Sequence, residues 1–231
     1  RPGEMIRHAA SMAWSKFEAT PIIADRKLVL CTPFNRVVAL DPATGREIWV
    51  FDPKIDANEK PVNNLGCRGL ARWVDPSAAP GSLCAERLFM ATNDLRMVAL
   101  DAHSGKPCPG WGNNGWHQVI NRAETHDPVE VHINMAPAVV NDVVVIGSGI
   151  ADSQWAAASR GTVHAYDART GKLRWTFDPF PSPGNQTGAA NVWSAISADP
   201  ARDLVFLPTT SPSPDFYGGT RVGDESMESA M

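Results

Sequence analysis

The sequence predicts an all-β protein built from repeated four-stranded units, and three observations support that prediction. Three segments, ALDPATG at 39–45, ALDAHSG at 99–105 and AYDARTG at 165–171, repeat one pattern along the chain. Their closing glycines lie 60 and 66 positions apart (45 to 105 to 171), and a period of this order is typical of repeat architectures. No stretch of the chain holds a convincing helical period of apolar residues. Four short strands in a unit of this length describe the blade of a β-propeller.

The strands and turn of each repeat follow from its residues. RVVALD at 36–41 and TVHAYD at 162–167 alternate and carry β-branched residues, which is typical of half-buried strands. The Asp can hydrogen-bond to the backbone two residues on, and the Gly supplies a positive φ, so a tight turn follows. REIW at 46–49 and KLRW at 172–175 then begin the return strands.

Further strands are predicted upstream of these hairpins and in the last part of the chain. They are KLVLCT at 27–32, RLFMAT at 87–92, DVVVIGS at 142–148 and DLVFLPTT at 203–210. A β-sandwich whose hairpins are spaced by coincidence is the alternative to a propeller.

Composition excludes several functional classes. The chain has 231 residues and a net charge of -4, so it lacks the basic field that nucleic-acid binding requires. Its longest apolar runs are a few residues, far short of the roughly 20 that cross a bilayer. The N-terminus does not have the residue order of a signal peptide. We therefore expect no nucleic-acid partner, and membrane association only through segments absent from this chain.

Four cysteines, Cys31, Cys67, Cys84 and Cys108, permit three pairings and lack the CxxC spacing of a zinc site. Buried free thiols and one or two disulfides both fit, and an oxidising compartment favours disulfides. Cys84 opens a strand and Cys108 opens the return strand after the second turn. We therefore predict that these two pair if the protein is periplasmic.

The repeated turn resembles a motif of a known family. Trp49 and Trp175 stand four residues after the first and third glycines, and Trp111 stands six residues after the second. This AxDxxTGxxxW pattern resembles the tryptophan-docking motif of the quinoprotein dehydrogenases, eight-bladed β-propellers that carry pyrroloquinoline quinone (PQQ). CRG at 67–69 and PDFYGGTRVGDE at 214–225 are similar to the membrane-bound glucose and quinate dehydrogenase branch.

The resemblance implies that the chain covers roughly the first three and a half blades of the propeller. The blades would span about 17–60, 61–125, 126–185 and an incomplete 186–231. The fourth docking motif and the family's general base, an aspartate in an HHDxWD-like string, are expected beyond Met231. We therefore assign no catalytic residue to this chain and expect the isolated fragment to be inactive.

The resemblance also implies a set of cofactor-binding residues. Glu18 in KFEATP matches a glutamate that hydrogen-bonds PQQ, and Arg68 matches an arginine that reaches it. Trp193 matches the tryptophan that forms the floor beneath the ring system. The remaining expected contacts are Ser148, Gly149 and Asn191. Taken singly, such residues have plainer explanations: a solvated strand residue, a surface salt bridge or a core tryptophan.

Two further residues match metal-binding positions of the family. Asp152 matches the calcium-binding carboxylate, and Ser211 falls near the second ligand, an Asn in methanol-type enzymes. The resemblance therefore implies a Ca²⁺ or Mg²⁺ ion, which oxygen ligands suit. Taken alone, an Asp after a strand is more often a turn residue.

The function that the resemblance implies is PQQ-dependent oxidation of a sugar or polyol of the glucose or quinate type. A base would remove the hydroxyl proton while hydride passes to the quinone, and the electrons would leave to ubiquinone. The protein would be periplasmic, attached to the inner membrane in its full-length form. The alternative is a non-catalytic periplasmic propeller, a scaffold that keeps the docking repeats for stability and binds protein partners.

Overall fold

The computed structural model describes residues 15–56, 64–127, 129–151, 157–180, 188–214 and 217. Within these ranges the chain contains β-strands, one 3-10 turn (Arg122–Glu124) and no α-helix. The all-β prediction is confirmed.

Three four-stranded antiparallel sheets organise the described chain, and in each of them the strands lie side by side in chain order. Sheet 1 contains β2 (Ile22–Ala24), β3 (Lys27–Cys31), β4 (Val37–Leu40) and β5 (Glu47–Phe51). Sheet 2 contains β7 (Ala71–Val74), β8 (Glu86–Ala91), β9 (Arg96–Asp101) and β10 (Trp116–Gln118). Sheet 3 contains β12 (Ala138–Val140), β13 (Val143–Ile146), β15 (Val163–Asp167) and β16 (Leu173–Phe177).

Three smaller ladders complete the described strands. Sheet 4 is the antiparallel pair β17 (Ser197–Asp199) and β18 (Leu204–Phe206). β1 (Ser15–Phe17) and β6 (Leu65–Cys67) pair in parallel. β11 (Val131–His132) and β14 (Gly149–Ile150) pair antiparallel.

The three repeated turns have the geometry that their residues predict. In each, one Asp carboxylate oxygen accepts hydrogen bonds from a backbone N–H and a hydroxyl three residues on, in Asp41, Asp101 and Asp167. The glycines that close the turns have φ of 70°, 70° and 74°, at Gly45, Gly105 and Gly171. An L side chain is strained in this left-handed region, so the Gly is required by the backbone itself.

Tryptophans join sheet 1 to the turn of sheet 2, and sheet 2 to the turn of sheet 3. Trp49 on β5 packs so closely on Gly105 that a Cβ there would overlap the indole ring. Trp111, which is fully buried, donates its Nε1 hydrogen to the backbone oxygen of Asp167 over 3.2 Å. Trp175 on β16 is 37% exposed. Sheets 1 and 2 are thus joined by ring packing on a turn glycine, and sheets 2 and 3 by a hydrogen bond to a turn carbonyl.

Two hydrophobic cores fill the spaces between the sheets. One lies between sheets 1 and 2 and includes Val29, Leu88 and Met90. The other lies between sheets 2 and 3 and includes Phe89 and Trp111. These side chains are completely buried, and β8 alternates between the two cores, so sheet 2 presents one face to sheet 1 and the other to sheet 3.

An ion-pair cluster adds polar contacts between sheets 2 and 3. Arg169 donates to both carboxylate oxygens of Asp75, each over 2.9 Å. These hydrogen bonds hold the pKa of the Asp75 carboxyl well below its usual value, against the opposing effect of burial. Arg87 donates to the backbone oxygens of Ala168 and Arg169, and both guanidinium groups lie over the Trp73 ring. Because the Arg169 hydrogen bonds lower the pKa of Asp75, the Asp75 carboxylate contributes this stability only while it is ionised.

All four cysteines form disulfides. Cys84 and Cys108 are bonded, with their Cα atoms 5.9 Å apart, as predicted. Cys31 and Cys67 form a second disulfide, with Cα atoms 6.0 Å apart, and this pairing was not predicted. It joins β3 of sheet 1 to β6, two elements whose proximity depends on the tertiary fold.

Candidate functional site

The parallel pair β1 and β6 builds the centre of the site. Phe17 and Cys67 are register partners, so the residues that follow them, Glu18 and Arg68, leave the two strands side by side. Arg68 Nε donates a hydrogen bond to Glu18 Oε2 over 3.1 Å, although fifty positions separate them in the chain. Both side chains are about one-third exposed, so the ion pair faces an accessible space.

Arg68 also reaches Trp193, which comes from the segment before sheet 4. Its Nη1 donates to the backbone oxygen of Trp193 over 3.0 Å, and its Cζ lies 4.8 Å from the centre of the indole ring. Trp193 is 43% exposed and is therefore not a core tryptophan. The structure brings Glu18, Arg68 and Trp193 together at one place.

The backbone of Arg68 is fixed on both sides. Its N–H donates to the carbonyl oxygen of Asn134 over 2.8 Å, and its own carbonyl accepts from the N–H of Thr20 over 2.9 Å. The guanidinium therefore extends from a backbone that is hydrogen-bonded to two other segments.

These residues line a cavity of about 280 Å³. The sequence-predicted residues on its wall are Glu18, Arg68, Gly149 and Trp193. Sequence reasoning missed the other lining residues, Lys16, Asn64, His132, Asn134 and Ile150. Four of these five are polar, and the volume approaches the range of small-molecule pockets.

Gly149 is required by the packing of the cavity wall. It is the register partner of His132 in the β11–β14 ladder, and a Cβ at this position would overlap the imidazole ring. The same strand region is crowded at Gly147, where a Cβ would overlap the backbone of Val192. The segment that carries Trp193 is thus packed tightly against the end of β13.

Ser148 and Asn191 lie behind the cavity wall. Both are buried, and Asn191 Nδ2 donates to the carbonyl oxygen of Ser148 over 3.2 Å. Asn191 Oδ1 accepts from the Thr210 hydroxyl over 2.9 Å. Ser148 Oγ is buried and has no hydrogen-bond partner among the described residues, so its hydroxyl retains unused donor and acceptor capacity.

Of the two predicted metal ligands, the structure describes only Ser211. Asp152 lies outside the described residues. Ser211 lies beside Ala190, whose N–H donates to the Ser211 carbonyl oxygen over 3.4 Å, and it does not line the cavity. The described part of the chain contains no group of three or more His, Cys, Asp or Glu side chains placed to hold a metal ion.

The family to which this chain belongs is decided by comparison with known proteins. Residues 2–230 match the model of the PQQ family, described as the β-propeller domain of glucose, ethanol and alcohol dehydrogenases. The chain belongs to this family. Its three four-stranded sheets are therefore sheets of the β-propeller domain of this family.

Curated relatives of this PQQ-family chain include the glycerol dehydrogenase large subunit of Gluconobacter oxydans. The two are 32% identical over 100% of this chain and 31% of the relative. The quinate/shikimate dehydrogenase (quinone) of Acinetobacter baylyi is 32% identical over 89% of this chain and 28% of its own length. The chain thus spans about three-tenths of the curated relatives it matches.

A solved structure with the same fold is the quinohemoprotein alcohol dehydrogenase from Comamonas testosteroni. It superposes with a TM-score of 0.68 and 25% identity, over 87% of this chain and 30% of that chain. Among the described residues, no helix is long and apolar enough to cross a membrane.

The cavity residues suit the PQQ after which the family is named. PQQ is a flat tricarboxylate, and the wall carries two cations, Lys16 and Arg68, against one carboxylate, Glu18. Asn64 and Asn134 add neutral amide donors, and the half-exposed Trp193 supplies an aromatic surface. A site with an excess of positive charge and a stacking ring fits an aromatic polyanion.

Proposed function

We propose that the Glu18–Arg68–Trp193 cavity binds PQQ, and that the chain is part of a PQQ-dependent dehydrogenase that oxidises a sugar or polyol. The observation that carries the proposal is the convergence of an arginine, a carboxylate and an exposed indole from three separate segments. Family membership supports the choice of ligand, because the matching family is named for PQQ, and it supports the reaction, because the family is described as dehydrogenases.

Each residue has a distinct proposed role. Arg68 and Lys16 bind carboxylate groups, since a guanidinium and an ammonium offer charge-assisted hydrogen bonds. Trp193 stacks on the flat ring system, and Glu18 keeps the Arg68 guanidinium in place and accepts from protonated ligand groups. Ser148 and Asn191 support the wall from behind, and Gly149 leaves room for the His132 ring in that wall. When bound, PQQ supplies a quinone that accepts two electrons from an alcohol.

We also propose that Asp152 and Ser211 contribute to a Ca²⁺ or Mg²⁺ site. Carboxylate and hydroxyl oxygens are ligands of these hard cations. Ser211 directly follows Thr210, whose hydroxyl is hydrogen-bonded to Asn191, so the residue belongs to the segment that backs the cavity. A group of three acidic or histidine ligands is not required if backbone and amide oxygens complete the shell.

For the substrate and electron acceptor we propose a glucose-type or quinate-type polyhydroxy compound and ubiquinone. Two of the relatives are named for glycerol and for quinate or shikimate, all of which carry several hydroxyl groups. A periplasmic location is consistent with two disulfides in one chain, because disulfides persist in oxidising compartments.

The scaffold alternative makes a different prediction about the same cavity. A protein-binding propeller has no use for an excess of positive charge and an exposed indole inside a small cavity. The experiment is to reconstitute the full-length protein with PQQ and Ca²⁺ and to record near-ultraviolet absorbance and dye-linked oxidation of glycerol, glucose and quinate. We expect bound PQQ and oxidation of at least one of these compounds. A protein that binds no PQQ would contradict the proposal and favour the scaffold.

A further inference from the structure

Arg68 is the residue on which the cavity depends, and it follows directly after a disulfide-bonded cysteine. Cys67 ends β6 and is bonded to Cys31, the last residue of β3 in sheet 1. Both cysteines are at least 98% buried. The strand that presents Arg68 is therefore tied covalently to the core of sheet 1.

A pair of buried asparagines also holds the same strand, through hydrogen bonds to its backbone. The side-chain amides of Asn35 and Asn93 donate to the carbonyl oxygen of Gly66, over 3.3 Å and 3.1 Å. Asn35 Oδ1 accepts in turn from the backbone and the side chain of Asn93, over 2.8 Å each. Asn35 follows β3 and Asn93 follows β8, so loops of sheets 1 and 2 both donate hydrogen bonds to the Gly66 carbonyl oxygen.

β6 needs this support because it is a weak element by itself. It has three residues, and its one ladder among the described strands is with β1, which also has three. So short a parallel ladder does not fix a backbone firmly without further contacts. The disulfide and the two asparagines supply the additional contacts that a second neighbouring strand would otherwise give β6.

We propose that the Cys31–Cys67 disulfide and the Asn35–Asn93 pair are positioning groups for Arg68, and that the cavity binds its cofactor tightly only when both are intact. This inference rests on the proposed function for the identity of the ligand. The effect on the Arg68 segment does not depend on the proposed function, because it can be measured without any ligand.

The chain contains a matched control. Cys84–Cys108 is the second disulfide, with Cα atoms 5.9 Å apart against 6.0 Å, but it joins parts of the sheet 2 unit and neither cysteine is adjacent in sequence to a residue that lines the cavity. Removing either disulfide costs chain-entropy stabilisation, and only one of them precedes Arg68. A general loss of stability and a specific loss of positioning can therefore be separated.

The experiment compares the double variants C31A/C67A and C84A/C108A with the wild type, all as full-length protein. Hydrogen exchange of the amides of residues 65–69 is measured without ligand, and PQQ affinity is measured in the presence of Ca²⁺. We expect both variants to unfold at lower temperature. Only C31A/C67A should lose protection at 65–69 and bind PQQ about tenfold more weakly, which is the scale of one lost charge-assisted hydrogen bond.

The outcomes separate the two claims. Unchanged protection at 65–69 in C31A/C67A, or unchanged PQQ affinity despite lost protection, overturns the positioning role. A wild type that binds no PQQ overturns the proposed function, and the exchange data then decide the positioning role alone. If C31A/C67A does not fold, Asn93→Ala takes its place, because it removes the shorter of the two amide hydrogen bonds to Gly66 and breaks the Asn35–Asn93 pair while keeping both disulfides. Wild-type affinity and protection in that variant would equally overturn the inference.

Discussion

Arg68 Nε donates a hydrogen bond to Glu18 Oε2 over 3.1 Å, and parallel strand pairing is the reason that these two residues meet. Parallel strands end on the same side, so the residues that follow Phe17 and Cys67 enter the same space. The glutamate at the start of the first unit is therefore neither a buried unpaired charge nor a simple solvated residue. It is the partner that keeps the guanidinium at the cavity.

The first prediction concerns the stacking surface. Trp193→Ala should weaken PQQ binding about three- to tenfold, because an aromatic contact of this kind contributes roughly 0.5–1.5 kcal/mol beyond burial. Trp175→Ala is the matched control, since Trp175 is similarly exposed, at 37% against 43%, and lies on β16 outside the cavity. Tryptophan fluorescence quenching by PQQ measures both affinities. Equal affinities for the two variants would remove Trp193 from the binding surface.

The second prediction concerns Lys16, which sequence analysis missed. Glu18 neutralises Arg68, so Lys16 carries the excess positive charge of the cavity wall. Lys16→Gln should lower PQQ affinity about three- to tenfold at low salt, and the difference from wild type should shrink as ionic strength rises. Lys54→Gln, which removes an exposed lysine paired with Asp52, should leave affinity unchanged. A salt-independent loss in Lys16→Gln would show that its charge is not the cause.

Whether a structural feature can be predicted from the sequence depends on how far apart along the chain the interacting residues lie. The turns at Asp41, Asp101 and Asp167 follow from neighbouring residues, and so does the Cys84–Cys108 pairing within one hairpin unit. The disulfide between Cys31 and Cys67 could not be deduced, because no local pattern brings β3 beside β6 or shows whether the two remaining cysteines pair or stay free thiols.

The same distinction applies to the residues of the candidate site. Family motifs indicate Glu18, Arg68 and Trp193, and the structure brings these three together. Lys16 and His132 have no motif, and they reach the cavity because two short ladders outside the main sheets carry them there. A signal for Lys16 was present in principle, since it lies two residues before Glu18 and points to the same side of a strand.

The third prediction concerns Gly149. Gly149→Ala should destabilise the protein by about 1–3 kcal/mol, because the added methyl group overlaps the His132 ring and forces a buried wall to move. Gly110→Ala is the control, since nothing lies within 4 Å of a Cβ there and its φ is not positive. Denaturant unfolding measures both. Equal stabilities would mean that the wall is more adaptable than its packing indicates.

The fourth prediction concerns the ion pair between sheets 2 and 3. The pKa of Asp75 is lowered in the folded protein, mainly by hydrogen bonds from Arg169, so the folded state binds fewer protons there than the unfolded state. The stabilisation is therefore complete above the usual carboxyl pKa, near 4, and is lost as pH falls toward the lower folded-state pKa.

Asp75→Asn should accordingly cost about 1–3 kcal/mol of unfolding free energy at pH 7, and the deficit should diminish below about pH 4. Arg169→Gln removes the same hydrogen bonds from the other side, so the double variant should cost less than the sum of the single variants. Additive losses, or a deficit independent of pH, would contradict the assignment of the stabilisation to this pair.

The most direct test of the central claim is an equilibrium titration of PQQ, with Ca²⁺ present, into full-length wild type, Arg68→Ala and Arg72→Ala. Arg72 is the matched control, because it is an exposed arginine on β7 that pairs with Glu86 and does not line the cavity. We predict that Arg72→Ala binds PQQ as the wild type does and that Arg68→Ala binds at least about tenfold more weakly. Equal affinity of all three proteins would contradict the claim that this cavity holds the cofactor.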